Sequence, residues 1–383
     1  MPYNHGIHNT EITTGARPTA EASTAVIGIV ATASDATVDA YPLDTPVLFT
    51  DIYAAIGKAG VAGTLSKVLT AIAQQVNPII VVVRVAEGVG ENADDATETN
   101  VIGTVTVDGK KTGLKALLSA KALTGYTPKI IGAPGLDTAD VTAELAAIAI
   151  KLDAFAYAKG IGAGITDVTT YRQTFSQREL MLFWPDWTSF EGAQVATALG
   201  VRALLDQKLG WHTSLSNNAV QGVTGITKPV SFDISGESTD AQVLNDGDVT
   251  TLIRENGFRF WGNRTCSDDP LFAFEAVVRS GQTIRQIIRD SLVWGIDKPL
   301  TVALAKDIIE TGNNALGKEV TAGRLIGAEM WFDPAKNPAG SLAAGKLVIS
   351  YKYTPCAPLE SLGIEQMITD EYYDDRFAQQ VAA

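Results

Sequence analysis

The stretch PIIVVVRVAEG, residues 78–88, most constrains what this chain can fold into. Its β-branched residues run on without the polar alternation of a half-solvated strand. Such a strand needs apolar cover on both faces. Cover on both faces calls for helices above and below, and therefore for crossovers and parallel neighbours. The surrounding sequence supplies them. VIGIVATA (26–33), PVLFT (46–50), PKIIGAPG (128–135) and RELMLFWPDW (178–187) are further short apolar runs. Between them lie helical segments. In TLSKVLTAIAQQV, Leu65, Val68, Leu69, Ile72 and Val76 recur at helical spacing behind Thr64, a plausible N-cap. DTADVTAELAAIAIKLDAFAYA reads as a helix running into a strand, and EGAQVATALGVRALLDQKLGW as a helix. This alternation predicts an α/β unit with a mainly parallel sheet. Residues 86–112 read as an acidic surface excursion with a short β segment and a Gly-Lys-Lys loop, and residues 214–250 as loops and short hairpins.

The order changes toward the C-terminus. A long helix is expected from about Pro270 to Trp294, with Phe274, Val277, Val278, Ile284, Ile287, Ile288 and Leu292 as its apolar face. DKPLTVALAKDIIETGNNALG is a second helix, entered through Pro299. Two strands follow, GRLIGAEMWF (323–332) and GKLVISYKY (345–353). The second puts Leu347, Ile349, Tyr351 and Tyr353 on one side. Two helices and two strands describe an α+β unit. The expected division is an N-terminal arm (1–22), an α/β domain (23–250), an α+β domain (251–358) and a C-terminal arm (359–383). Both arms alternate weakly, through Ile7 and Ile12 at one end and Leu362 and Ile364 at the other. Segments that cannot bury themselves at home suit strand addition to a neighbour's sheet. Reciprocal exchange of this kind is heterologous and generates rings or helices of subunits.

A chain of 383 residues is too long for one compact core. A formal charge of −13 argues against a nucleic-acid groove, which needs a clustered basic face. No stretch reaches the roughly 20 apolar residues of a membrane span. The start, MPYNHGIHNTEITTGARP, has neither the basic residues nor the apolar core of a secretory signal. Cys266 and Cys356 read as packed thiols of a chain made in a reducing cytoplasm.

The densest chemistry lies in GFRFWGNRTCSDDPLF, residues 257–272. A Cys266–His212 dyad lacks a third group to orient the histidine, and the neighbouring carboxylates oppose a thiolate. Asp268 and Asp269 fit a metal site or, more simply, a helix cap, with Ser267 or an aspartate taking free N–H groups ahead of Pro270. His5 and His8 lie in the arm. GIGAGIT (160–166) lacks the Gly-Lys-Ser/Thr of a phosphate loop, and IGAPG (131–135) carries no nucleophile. The paired carboxylates Asp94/Asp95 and Asp374/Asp375 fall in polar segments. No catalytic constellation emerges, and no cofactor or metal is expected. The rival reading is an α/β hydrolase or nucleotide-binding enzyme. Arg259 and Arg264 are expected to pair with Asp268 and Asp269 and stiffen the junction between the two units.

Several stretches resemble contractile tail sheath proteins of myophages, of the temperate enterobacterial type and related to R-type pyocin sheaths. They include YNHGIHNTEI, PVLFTDIYAAIGKAGVAGTL, YRQTFSQRELMLFWPD, LGWHTSLSN, TLIRENGFRFWGNRTCSDDPLFAFE, WGIDKPLT and ITDEYY, in order and across nearly all of the chain. The resemblance implies six-membered rings stacked helically around a tail tube, with the α/β domain outward and the 251–358 domain facing the tube. It implies that the arms add strands near 345–353 of neighbours, and that contraction drives the tube through the host envelope without ATP. The implied partners are further copies of the chain, the tube protein, and baseplate and tail terminator proteins, with no nucleic acid or membrane. The implied place is the virion tail, assembled in the host cytoplasm. Arg279, Arg285, Arg289 and Lys298 are the candidate tube-facing residues. A solvated helix face or ion pairs within the chain remain open for them.

Overall fold

The computed structural model describes residues 23–235, 238–370 and 373. Six strands form the main sheet: β1 (Ile27–Thr32), β2 (Val47–Phe49), β3 (Ile80–Val85), β4 (Ile130–Gly132), β5 (Phe155–Lys159) and β6 (Leu180–Phe183). Their order is β2-β3-β1-β4-β5-β6, parallel throughout except for β2, which runs antiparallel to β3 at the edge. Every residue of β3 is buried. Ile80 and Val82 belong to the apolar core on one face, and Val81, Val83 and Val85 to the core on the other. The two-sided cover that the β-branched run demands is thus met, at about 1.5–3 kcal/mol for each aliphatic side chain buried. Arg84 interrupts the run without breaking it, because its guanidinium donates to the carbonyls of Tyr41 (2.6 Å) and Ala33 (2.9 Å).

A small antiparallel sheet is built from β7 (Ala219–Val220), β8 (Thr251–Arg254) and β9 (Phe258–Trp261), in the order β7-β9-β8. Leu252 and Phe260 of this sheet are fully buried in the same core as Ile27, Phe183 and Trp187. The expected boundary at residue 251 therefore does not mark a change of core. The separate core of the C-terminal part forms around Trp211, Ile284, Leu316, Leu325 and Met330. It lies between the helices Glu275–Leu292 and Val302–Thr321 and the antiparallel pair β10 (Leu325–Phe332) and β11 (Ile349–Pro355). Two glycines admit the close approach of these layers. A Cβ at Gly281 would lie 2.6 Å from the Tyr353 hydroxyl, and one at Gly312 would collide with the Met330 sulfur. The fold is thus mixed α/β, with a mainly parallel sheet and further antiparallel sheets.

Several expected elements move. The helix expected from about Pro270 to Trp294 is helical by α geometry only over Glu275–Leu292. A 3-10 turn, Pro270–Phe272, precedes it, and extended backbone at Phe274 separates the two. Asp269 caps that turn by accepting from the Leu271 amide at 2.9 Å, as the capping alternative expects. The second helix starts two residues beyond Pro299 and a residue more, because Thr301 caps it by accepting from Leu304 N at 3.1 Å. Thr64 occupies the N-cap position of helix Leu65–Ala73, but its hydroxyl accepts from Thr32 N rather than from its own helix. Within 86–112 the short β ahead of the Gly-Lys-Lys loop is a bridge between Val105 and Lys111, while a helix, Ala93–Ile102, stands where an acidic surface excursion was expected. Only its Val101 is buried, so it carries no apolar stripe to read. Leu347 precedes β11 instead of lying within it.

Cys266 is fully buried and Cys356 half-buried, both as free thiols. Burial pushes the Cys266 thiol up to about 12. Near about pH 8, iodoacetamide is expected to modify Cys356 while Cys266 stays unmodified until the chain unfolds. Equal native labelling rates, read by peptide mass spectrometry, would contradict this packing.

Candidate assembly site

The helix Glu275–Leu292 joins the two cores, and it does so with charge as well as apolar surface. Glu275 and Arg279 face Arg202 and Asp206 of the helix Ala193–Lys208, and all four side chains are at most 3% exposed. Arg202 pairs with Asp206 at 2.7 Å and with Glu275 at 3.4 Å, and donates to the carbonyl of Thr213 at 2.6 Å. Arg279 pairs with Asp206 and, at 3.6 Å, with Glu275. Tyr157, at the centre of β5, donates to Glu275 Oε1 at 2.6 Å. Burial and the Glu275 charge raise the Tyr157 hydroxyl well above its usual range, so it stays a donor. Burial opposes the Arg279 charge, and Asp206, Tyr157 and Glu275 outweigh it. Two cations and two anions balance, as a buried cluster must.

Arg279 is therefore not available to a tube: this residue is corrected from a tube-facing candidate to an internal tie. Arg285 and Arg289, one turn apart on the same helix, both grip Asp153, with Arg289 at 2.7 Å. Asp153 is the left-handed cap residue of helix Ala139–Leu152. The intra-chain alternative is thus realised for both arginines, although Arg289 stays 64% exposed. Lys298 is exposed and sits over the Trp294 ring at 4.5 Å. Lys129 closes the same corner, donating to the carbonyl of Asp153 at 3.1 Å. Burial, only partly offset by Asp153, lowers its ammonium to about 8.

In the 257–272 stretch the charged side chains meet different partners from those expected. Arg259 donates to the carbonyls of Asn217 (2.7 Å) and Glu255 (3.0 Å) and meets neither aspartate. Arg264 pairs with Glu360 through two parallel bonds of 2.9 and 2.8 Å and lies 3.7 Å from Asp248. Asp268 pairs instead with Arg172 at 3.2 Å, and Arg172 also holds Asp248 at 2.8 Å. Asp269 is the cap already described. The expected pairings fail because β9 and the turn before Pro270 aim these side chains at different elements. Phe260 is fully buried, while Phe258, Trp261 and Phe272 are half-buried. Among the described residues, no group of three His, Cys, Asp or Glu side chains could hold a metal ion, and no helix is long and apolar enough to cross a membrane.

Two surfaces are open to partners. The β10–β11 pair is a sheet of two strands, so among the described residues neither strand pairs with a third, although Asn313 takes both backbone groups of Met330 on β10. Ile349, Tyr351 and Tyr353 turn one face of it toward the core. Beyond Pro355 the chain runs without regular structure as far as residue 370. There Leu362 is 70% and Ile364 82% exposed, with Leu359, Met367 and Ile368 similarly open. Ile7 and Ile12 lie outside the described residues.

Comparison with known proteins decides what this architecture is. Family models described as the phage tail sheath protein central domain, the tail sheath protein Gp18 domain III N-terminal region and the phage tail sheath C-terminal domain match residues 109–266, 24–85 and 267–369. The tail sheath protein of Escherichia phage P2 is 47% identical, over 97% of this chain and 96% of that protein. The chain belongs to the phage tail sheath family. The major tail sheath protein of Serratia phage KSP20 is 45% identical, over 92% of each chain. In fold, the chain matches the contracted-state sheath complex of the extracellular contractile injection system PVC. The TM-score is 0.72 at 14% identity, over 97% of this chain and 99% of that one. A sheath subunit is a structural protein, and the relatives are named as such rather than as enzymes.

Two predictions follow from the charge clusters. Arg279→Met leaves buried Asp206 and Glu275 short of a cation and is expected to cost about 3–5 kcal/mol in urea unfolding. A loss under about 1 kcal/mol would show that the cluster is not a tie. For Lys129, the folded chain releases its proton near pH 8, whereas an unfolded lysine holds it to about 10.4. The unfolded state thus binds more protons between these values, and stability rises with pH there through this group. Relative to Lys129→Met, the wild-type chain is expected to gain stability from about pH 7.5 to about pH 9.5. A constant difference would contradict the assignment.

Proposed function

We propose that the chain is the repeating subunit of a contractile tail sheath, stacked as six-membered rings in a helix around a tail tube. The carrying observation is the open tail, with exposed Leu362 and Ile364, on a chain whose β10–β11 sheet has only two strands among the described residues. An exposed apolar segment and a sheet that can take a further strand are complementary across subunits. The tail of one subunit adds to the sheet of the next, with Leu347, Ile349, Tyr351 and Tyr353 in the receiving layer, and the 1–22 arm adds likewise. The 251–358 region faces the tube, presenting Lys298 and the exposed flank of Arg285 and Arg289, while the α/β region with its large sheet faces outward. Besides copies of itself, the subunit meets the tube, the baseplate and the tail terminator. Assembly takes place in the host cytoplasm and the product is part of the virion tail.

Contraction then needs no bound nucleotide. The subunit moves as a body and the connections between bodies bend, which is a switch between two sets of interfaces. A gain of about 1 kcal/mol per subunit is small for one fold but multiplies over every copy of the polymer. Half-exposed polar contacts suit this, because they break and reform without the desolvation cost of a dry interface.

Truncation after Pro358 and, separately, deletion of residues 1–15 are expected to leave folded subunits with near-normal melting that form no tubes in negative-stain images. Normal tubes from either truncation would overturn arm exchange.

A further inference from the structure

The root of the tail is fixed by one pair of side chains. Among the described residues, Glu360 is the residue of 357–368 whose side chain hydrogen-bonds to the body, and it does so through both carboxylate oxygens to Arg264. The geometry is bidentate, which fixes direction as well as distance. Arg264 itself stands on rigid ground. Its backbone bridges Phe274, Thr265 N donates to Ala273 O at 2.8 Å, and Glu275 N donates to Asn263 O at 3.0 Å. The segment is thereby stitched to the start of the helix that carries the buried ionic cluster. The guanidinium also lies over the Phe274 ring. Around it, Asp248 stands 3.7 Å away and is held in turn by Arg172. A few residues beyond Glu360, Leu362 and Ile364 stand in the open.

We propose that Arg264 is a positioning residue for the C-terminal tail: its clasp on Glu360 sets where, and in what direction, the tail leaves the subunit. Both partners are about 40% exposed, so the clasp is open to water and to salt. Asp248 keeps a counter-charge beside Arg264 when Glu360 lets go, so release strands no cation and the clasp can close again. Over the described residues 361–368 no side chain hydrogen-bonds back to the body, so the reach of the tail is counted from Glu360. The use of this exit by a neighbouring subunit rests on the proposed sheath function; the clasp itself does not.

The test separates the two. In the full chain with Cys356→Ser, nitroxides at Ile364→Cys and Lys121→Cys report the tail's distance distribution by pulsed EPR on dilute subunits. Buried Cys266 is spared. Glu360→Gln and Arg264→Gln are each expected to broaden the distribution, shifting the ratio of clasped to released tail about fivefold. The double variant is expected to go no further than either single one. Raising salt to about 1 M is expected to broaden the wild-type distribution in the same direction. Glu360 sits on an open segment, so Glu360→Gln leaves the core intact and melting near the wild-type value. An unchanged distribution in Glu360→Gln would overturn the clasp. Broadening together with normal tube yield would remove its role in assembly and leave the sheath function standing.

Discussion

The structure depends on the buried exchange of charge between Arg202, Asp206, Glu275 and Arg279, completed by the Tyr157 hydroxyl. These groups come from a strand and a helix of the α/β part and from the first turns of the helix that founds the C-terminal part. Such a cluster adds little net stability over an apolar replacement, because each ion gives up its water. It does penalise misplacement. Sliding the 275–292 helix against the 193–208 helix leaves charges buried without partners, at several kcal/mol each. The two parts are thereby held in one relative position, which a subunit that transmits force requires.

The attachments at the periphery have the opposite character. The Arg264–Glu360 pair and the Asp153 grip on Arg285 and Arg289 are partly in water. Interactions of that sort are individually weak and reversible. The stiffness of the subunit and the softness of its connections thus trace to one variable, the degree to which each ion pair is desolvated. A polymer that shifts between two arrangements without unfolding its subunits needs both.

How much of this was legible depended on whether the signal was local. The β-branched run of β3 dictated a doubly covered strand, and the period of Leu65, Val68, Leu69 and Ile72 dictated the helix beside it. The family was legible in the resemblance of long stretches. Helix Ala93–Ile102 was hidden because its one buried apolar residue gives no period. Arg279 was misassigned because a helix face shows spacing but not what faces it: Asp206 is 73 residues away in sequence. The pairing of Arg264 with Asp268 or Asp269 looked natural from proximity along the chain. The actual partner, Glu360, is 96 residues distant, and nothing in the local sequence points to it. Within each helix the pairs Arg202–Asp206 and Glu275–Arg279 lie at spacing four, a local signal the sequence reading passed over, whereas the cross-links between helices leave no local signal.

The central claim is that the open segment beyond Pro355 completes the sheet of another subunit. A cryo-EM reconstruction of assembled tubes tests it most directly. The account expects density for residues 359–370 to leave the parent subunit at Glu360 and run as an added strand along β10 or β11 of a neighbour. Density that folds the segment back onto its own subunit, with both sheet edges still unpaired in the tube, would contradict it.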